Sequence, residues 1–213
     1  MQREKSWCQR PRLKTRQDFN IKALMDHVWI DSNPKLEAIL DGPGDSPRVI
    51  LAHPHPLYGG DMHNHVVKLA SDIAVDKGYT TIRFNFRGTG KSQGEHTQGE
   101  GELEDLDTVV RYAKDVKILI GYSFGAWIIA RYASQNPLRS VLISPPSTMF
   151  EFPALKETKT WIIAGTNDQF SAMHALGSIV KEDRIILCDG ADHFWLFGTE
   201  CMKKALSNIL AGL

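Results

Sequence analysis

The chain has 213 residues, 42% apolar and 23% charged, with 25 basic and 25 acidic side chains and a pI near 7.1. That length suits one domain with a sizeable core. The charge balance argues against nucleic acid as the main partner, and no apolar run reaches the roughly 18 residues of a membrane span.

Residues 1–24 are basic and poor in apolar groups, with Arg3, Lys5, Arg10, Arg12, Lys14 and Arg16. They lack the apolar stretch of a secretory signal, although frequent Arg and few acids also fit a transit peptide. We read 1–24 as a flexible extension and 25–213 as a single domain that needs nothing before His27. Cys8, Cys188 and Cys201 are odd in number and widely spaced. This suggests a reducing, cytoplasmic setting and no disulfide framework.

His27–Asp31 and Leu36–Asp41 read as an opening antiparallel hairpin. Strands follow at 48–53, 80–86, 116–121, 139–144, 159–165 and 183–188. Helices are expected at 62–77, 101–114, 124–135, 171–181 and 199–211. In the last of these, Met202, Leu206, Ile209 and Leu210 share one side, a spacing that reads as core packing. Alternating strands and helices imply a mostly parallel, twisted sheet of about eight strands covered on both faces.

The run Gly121-Tyr122-Ser123-Phe124-Gly125 lies between an apolar strand and a helix. A G-x-S-x-G motif in that context is a nucleophile elbow, a sharp turn that lifts the Ser hydroxyl above the sheet. Ser is a weak nucleophile alone and needs a His base oriented by a carboxylate. Asp168 follows the strand 159–165 in Gly-Thr-Asn-Asp, and His193 follows the strand 183–188. Asp168 also suits a plain turn, and Asp189 and Asp192 are rival acids. Those two sit too close in sequence to His193 for a layout in which each group ends its own strand. In a parallel sheet all these strand ends share one edge.

An oxyanion hole needs two N–H donors. Phe124, after the nucleophile, is one. The other is expected from the loop His53-Pro54-His55-Pro56-Leu57-Tyr58-Gly59-Gly60, whose prolines lack an N–H. Leu57 is the favoured donor, with His55 the next candidate and Tyr58 also available. His53, His55, His63 and His65 lack the carboxylate or Cys partners of a metal site, so we expect no metal and read them as shaping the loop. Gly90-Lys91-Ser92 lacks the full spacing of a phosphate loop. Arg87 is read as tying its loop to carbonyls or a nearby acid.

Between the strands 139–144 and 159–165 there is no room for a helical lid. There, Met149, Phe150 and Phe152, with Tyr58, are candidates for an acyl pocket, or else they simply cover the sheet edge.

His53-Pro54-His55-Pro56-Leu57-Tyr58-Gly59-Gly60-Asp61-Met62-His63-Asn64, Phe84-Asn85-Phe86-Arg87-Gly88-Thr89-Gly90-Lys91-Ser92, the elbow and Gly190-Ala191-Asp192-His193-Phe194 resemble the small, lidless α/β-hydrolases. The similarity runs from about His27 to the C-terminus. It is nearest the compact group related to dienelactone hydrolases and bacterial-type carboxylesterases. The resemblance implies an α/β-hydrolase fold without a cap domain. It also implies Ser123 as nucleophile, Asp168 as acid and His193 as base, with no cofactor. The expected activity is cleavage of a small soluble carboxylic ester through an acyl-enzyme. A peptidase, thioesterase or acyltransferase would use the same triad, and a non-catalytic binding protein could share the fold.

Overall fold

The computed structural model describes residues 24–213. The expectations for the basic extension therefore lie outside the described residues, apart from Leu24. Eight strands form one sheet in the order β1-β2-β4-β3-β5-β6-β7-β8. The hairpin β1 (Leu24–Ile30) and β2 (Leu36–Gly42) is antiparallel, and β2 pairs antiparallel to β4 (Thr80–Phe84). The remaining pairs, through β3 (Arg48–Ala52), β5 (Val116–Tyr122), β6 (Ser140–Ile143), β7 (Thr160–Gly165) and β8 (Ile185–Cys188), are parallel.

Strand periodicity divides the core into two layers. On β3, Ile50 and Ala52 face one layer, while Val49 and Leu51 face the other. Under the first lie α2 (Glu100–Ala113), α3 (Phe124–Gln135) and α4 (Met173–Ile179). Under the second lie α1 (His65–Asp76) and α5 (Thr199–Ala211), which pack on each other. Met202, Leu206, Ile209 and Leu210 of α5 are all buried, as their spacing requires. The chain leaves β3 for β4 on one side and reaches β5 on the other. The loops after β3 and β5 thus flank a topological switch point, where open α/β sheets form their clefts.

Several boundaries differ from expectation. The first strand begins at Leu24, which pairs with Gly42, and not at His27. Helix α1 starts at His65, because the Asn64 side chain caps it by accepting from the Val66 N–H at 3.0 Å. Before β8, Glu182–Arg184 forms a 3-10 turn, which delays the strand to Ile185.

The cysteine reading is corrected. Cys188, ending β8, is disulfide-bonded to Cys201 in the first turn of α5. The link joins two elements whose approach is set by the tertiary fold, which spacing along the chain does not reveal. Cys8 lies outside the described residues. No helix among them is long and apolar enough to cross a membrane.

Candidate active site

The elbow joins β5 to α3. Ser123 has φ 54° and ψ −117°, a strained conformation for a residue with a side chain. The flanking glycines are sterically required. A Cβ on Gly121 would meet the Gly125 carbonyl oxygen at 2.4 Å, and one on Gly125 would meet the Ala52 oxygen of β3 at 2.4 Å. The Ser123 N–H donates to the Ile143 carbonyl on β6 at 3.0 Å. The hydroxyl thus rises between β3 and β6 at the N-terminus of a helix.

Ser123 Oγ lies 3.0 Å from His193 Nε2. On the other side of the ring, Nδ1 is 2.9 Å from both Oδ1 and Oδ2 of Asp168. His193 and Asp168 are both buried. In the neutral ring this geometry puts the proton on Nδ1, shared by the two carboxylate oxygens, and leaves Nε2 to accept from the Ser hydroxyl.

Burial alone would raise the Asp168 pKa. The hydrogen bond and charge of His193, a bond from Ser144 and the Phe170 N–H outweigh it and hold the pKa below the ordinary value. Oδ1 accepts from the N–H groups of Phe170 at 2.9 Å and Ser171 at 3.1 Å, and the Ser171 hydroxyl lies 2.9 Å from Oδ2. The rival carboxylates are engaged elsewhere. Asp189 accepts from the Thr166 hydroxyl, and Asp192 accepts from the Leu196 N–H.

Several supporting groups escaped the sequence reading. The Tyr122 hydroxyl donates to the His193 carbonyl at 2.9 Å and fixes the backbone that carries the imidazole. The buried indole of Trp195 donates to Ser144 Oγ at 3.0 Å. Phe170 meets the His193 ring edge-on, with centroids 4.7 Å apart. Tyr122 lies within the elbow motif and Trp195 follows the run Gly190–Phe194, which was the available signal.

The loop after β3 is held by His53. Its Nε2 accepts from the Phe86 N–H at 3.0 Å, so its Nδ1 carries the proton and donates to the Pro54 carbonyl at 2.7 Å. Full burial lowers its pKa to about 4, against a smaller upward effect of the Pro54 bond. The next residues form a 3-10 turn, Pro56–Tyr58. The turn changes the expected donor. The Leu57 N–H is spent on His55 Nδ1 at 3.3 Å, and the Tyr58 N–H on the His55 carbonyl at 3.1 Å. The N–H of His55 engages no partner among the described residues. Phe124 opens α3, where an N–H has no carbonyl one turn earlier within the helix.

A cavity of about 420 Å³ opens beside Ser123. Tyr58, Met149 and Phe150 line it as expected, together with Phe170 and Phe194. Phe152 does not; it packs against the hydrophobic layer under α3, so its role as a pocket residue is withdrawn. Between β6 and β7 there is no helix, and nothing closes over the cavity from that side. Arg87 binds Asp105 through both Nε and Nη2, at 3.0 and 2.8 Å, which anchors its loop to α2. His65 Nε2 lies 2.9 Å from the Phe194 carbonyl. Among the described residues no cluster of three His, Cys, Asp or Glu side chains is placed to hold a metal ion.

Residues 47–175 match the model of the alpha/beta hydrolase fold family. The uncharacterised protein RP471 of Rickettsia prowazekii is 34% identical over 189 residues, covering 78% of this chain and 79% of that protein. The bovine mitochondrial palmitoyl-protein thioesterase ABHD10 is 28% identical over 103 residues, 47% of this chain and 33% of that protein. Among solved structures, XC6422 of Xanthomonas campestris, described as an α/β serine hydrolase without a lid, superimposes with a TM-score of 0.78. It is 24% identical, with 88% of this chain and 94% of that chain covered. The chain belongs to the α/β-hydrolase fold family.

Proposed function

We propose that the protein is a serine hydrolase that cleaves a carboxylic ester through a covalent acyl-enzyme. The observation that carries this reading is the continuous contact from Ser123 Oγ through the His193 ring to Asp168. His193 Nε2 takes the Ser123 proton as the oxygen attacks the substrate carbonyl. Asp168 holds the ring in the useful tautomer and stabilises the imidazolium. The N–H groups of Phe124 and His55 receive the oxyanion, each contributing about 3 kcal/mol to the transition state. His55 replaces Leu57 in this role because its N–H is uncommitted. The alcohol leaves with the proton from His193, and water then attacks the acyl-enzyme by the same route.

The aromatic lining of the cavity suits an apolar acyl group. A thioester is a second reading, favoured by the match to a palmitoyl-protein thioesterase. The same acyl-enzyme would form, with a thiol as leaving group. Hydrolysis of p-nitrophenyl acetate, butyrate and octanoate by the wild type and by Ser123→Ala tests the proposal. Turnover should vanish in the variant and rise with chain length in the wild type. Acyl-thioester hydrolysis faster than that of the matched ester would favour the second reading. The absence of both turnover and fluorophosphonate labelling at Ser123 would overturn both readings.

A further inference from the structure

We propose that the protein docks on a neutral lipid surface through the rim of its active-site cavity and draws acyl substrates from that surface. The docking does not depend on the chemistry; the delivery of substrate rests on the acyl-hydrolase reading above.

Leu57 and Tyr58 stand in the loop after β3, Met149 in the loop after β6, and Phe194, Leu196 and Phe197 in the loop after β8. All six are exposed, Leu57, Leu196 and Phe197 at 71% each. Because these strands are parallel, their C-terminal loops share the sheet edge that bears Ser123. Among the described residues, the other large exposed apolar side chains, Met25, Trp29, Tyr112 and Leu187, lie on β1, α2 and β8, away from these loops. Scattered apolar residues are ordinary on a protein surface, whereas a contiguous group around a pocket marks a place of contact.

The loop after β8 is built to hold its apolar groups outward. Trp195 adopts φ 54° and buries its indole on Ser144, which makes it the anchor of the run. Phe194, Leu196 and Phe197 around it face water. The backbone of Phe194 is tied to His65 on α1. Exposure here belongs to a fixed loop.

Charge selects the occupant. Residues 53–60, 144–150 and 193–199 contain no Lys, Arg, Asp or Glu, in a chain that is 23% charged. A protein partner commonly meets a polar rim around an apolar centre, and an anionic membrane is held by clustered cations. This rim has no clustered cations, and the charges flanking it in sequence are the acids Asp61, Glu151, Asp192 and Glu200. Aromatic and aliphatic side chains without formal charge suit the boundary of a zwitterionic or uncharged lipid surface. The rim is also continuous with the apolar cavity, so an acyl chain leaving the lipid would meet apolar contacts all the way to Ser123.

The test uses the full chain and a Leu196→Ser/Phe197→Ser variant, whose changed residues lie outside the cavity and are already solvated. Flotation with phosphatidylcholine vesicles is measured beside p-nitrophenyl acetate hydrolysis. The wild type should float. The variant should lose about tenfold in partitioning, while its kcat/KM on the soluble ester stays within about twofold. The proposal falls if the wild type does not float, or if the variant floats equally. It also falls if flotation requires phosphatidylserine, which would trace it to the basic residues 3–16. Concentration-dependent dimerisation lost in the variant, without vesicle binding, would assign the rim to a second copy and overturn the proposal. Vesicle binding without turnover of any ester or thioester would leave docking standing and remove the hydrolase reading.

Discussion

Trp127 lies flat against Phe150, with ring centroids 4.4 Å apart and planes 19° from parallel. Trp127 sits one turn after Ser123 on α3, and Phe150 lines the cavity beside Ser123. The indole also donates to the Glu151 carbonyl at 3.0 Å, and the Arg131 guanidinium lies 5.0 Å from its ring. The helix that begins at the nucleophile therefore also carries the wall of the pocket.

Replacing Trp127 with Ala removes the support of that wall and leaves the Ser–His–Asp contacts intact. The loss falls on binding common to ground and transition states. KM for p-nitrophenyl butyrate should rise about fivefold with kcat nearly unchanged. Trp127→Phe, which keeps the stack, should recover most of it. Steady-state kinetics on the three proteins decide the point. An equal fall in kcat would mean that the stack positions Ser123 itself.

The buried His53 makes stability depend on pH. Its pKa is about 4 in the folded state against 6.5 for the free side chain. Between these values the unfolded chain takes up a proton that the folded one refuses, so stability falls as pH is lowered. The contribution is fully present above pH 6.5 and fully lost by about pH 4. Over that interval the loss amounts to about 3 kcal/mol. Urea denaturation of the wild type across this range should show it, and His53→Gln should flatten the curve there. An equal slope in the variant would place the titration elsewhere.

Asp168 acts in the same direction, at lower pH. A carboxylate with a depressed pKa stabilises the fold above its unfolded value, about 3.9, and loses that effect as pH falls through the folded value. Asp168→Asn should be less stable than the wild type at pH 7, with the gap closing below about pH 4. Its kcat on a soluble ester should drop about 10⁴-fold, since the amide favours the wrong tautomer of His193. Denaturation at two pH values, beside the rate, separates the structural effect from the catalytic one.

Much of the architecture was legible because it rests on local chemistry. Apolar runs bounded by turn residues mark the buried strands, and Gly121 and Gly125 mark a turn too tight for a Cβ. The order Ser123, Asp168, His193 was readable because each follows its own strand, and the structure brings the three side chains together. What escaped depends on contacts between distant segments. Phe152 and Phe150 lie two residues apart and both pack against the layer under α3, yet only Phe150 also lines the cavity. Leu57 and His55 both carry an N–H that the sequence leaves open; the His55 side chain, which caps the 3-10 turn, accepts that of Leu57. Phe170 and Phe194 reach the pocket because β7 and β8 end on the edge where β5 ends. That placement is a property of the sheet and leaves no mark in the two residues.

The link between Cys188 and Cys201 makes the segment around His193 a covalent ring. Arg184 and Lys203 are the nearest trypsin sites outside that ring, and none lies between them. Digestion of the native protein should release residues 185–203 as one cyclic peptide, lighter by two hydrogens than its reduced form and refractory to alkylation. The mass of a single fragment, taken from protein purified under different redox conditions, thus reports whether His193 is carried on a closed loop or an open one.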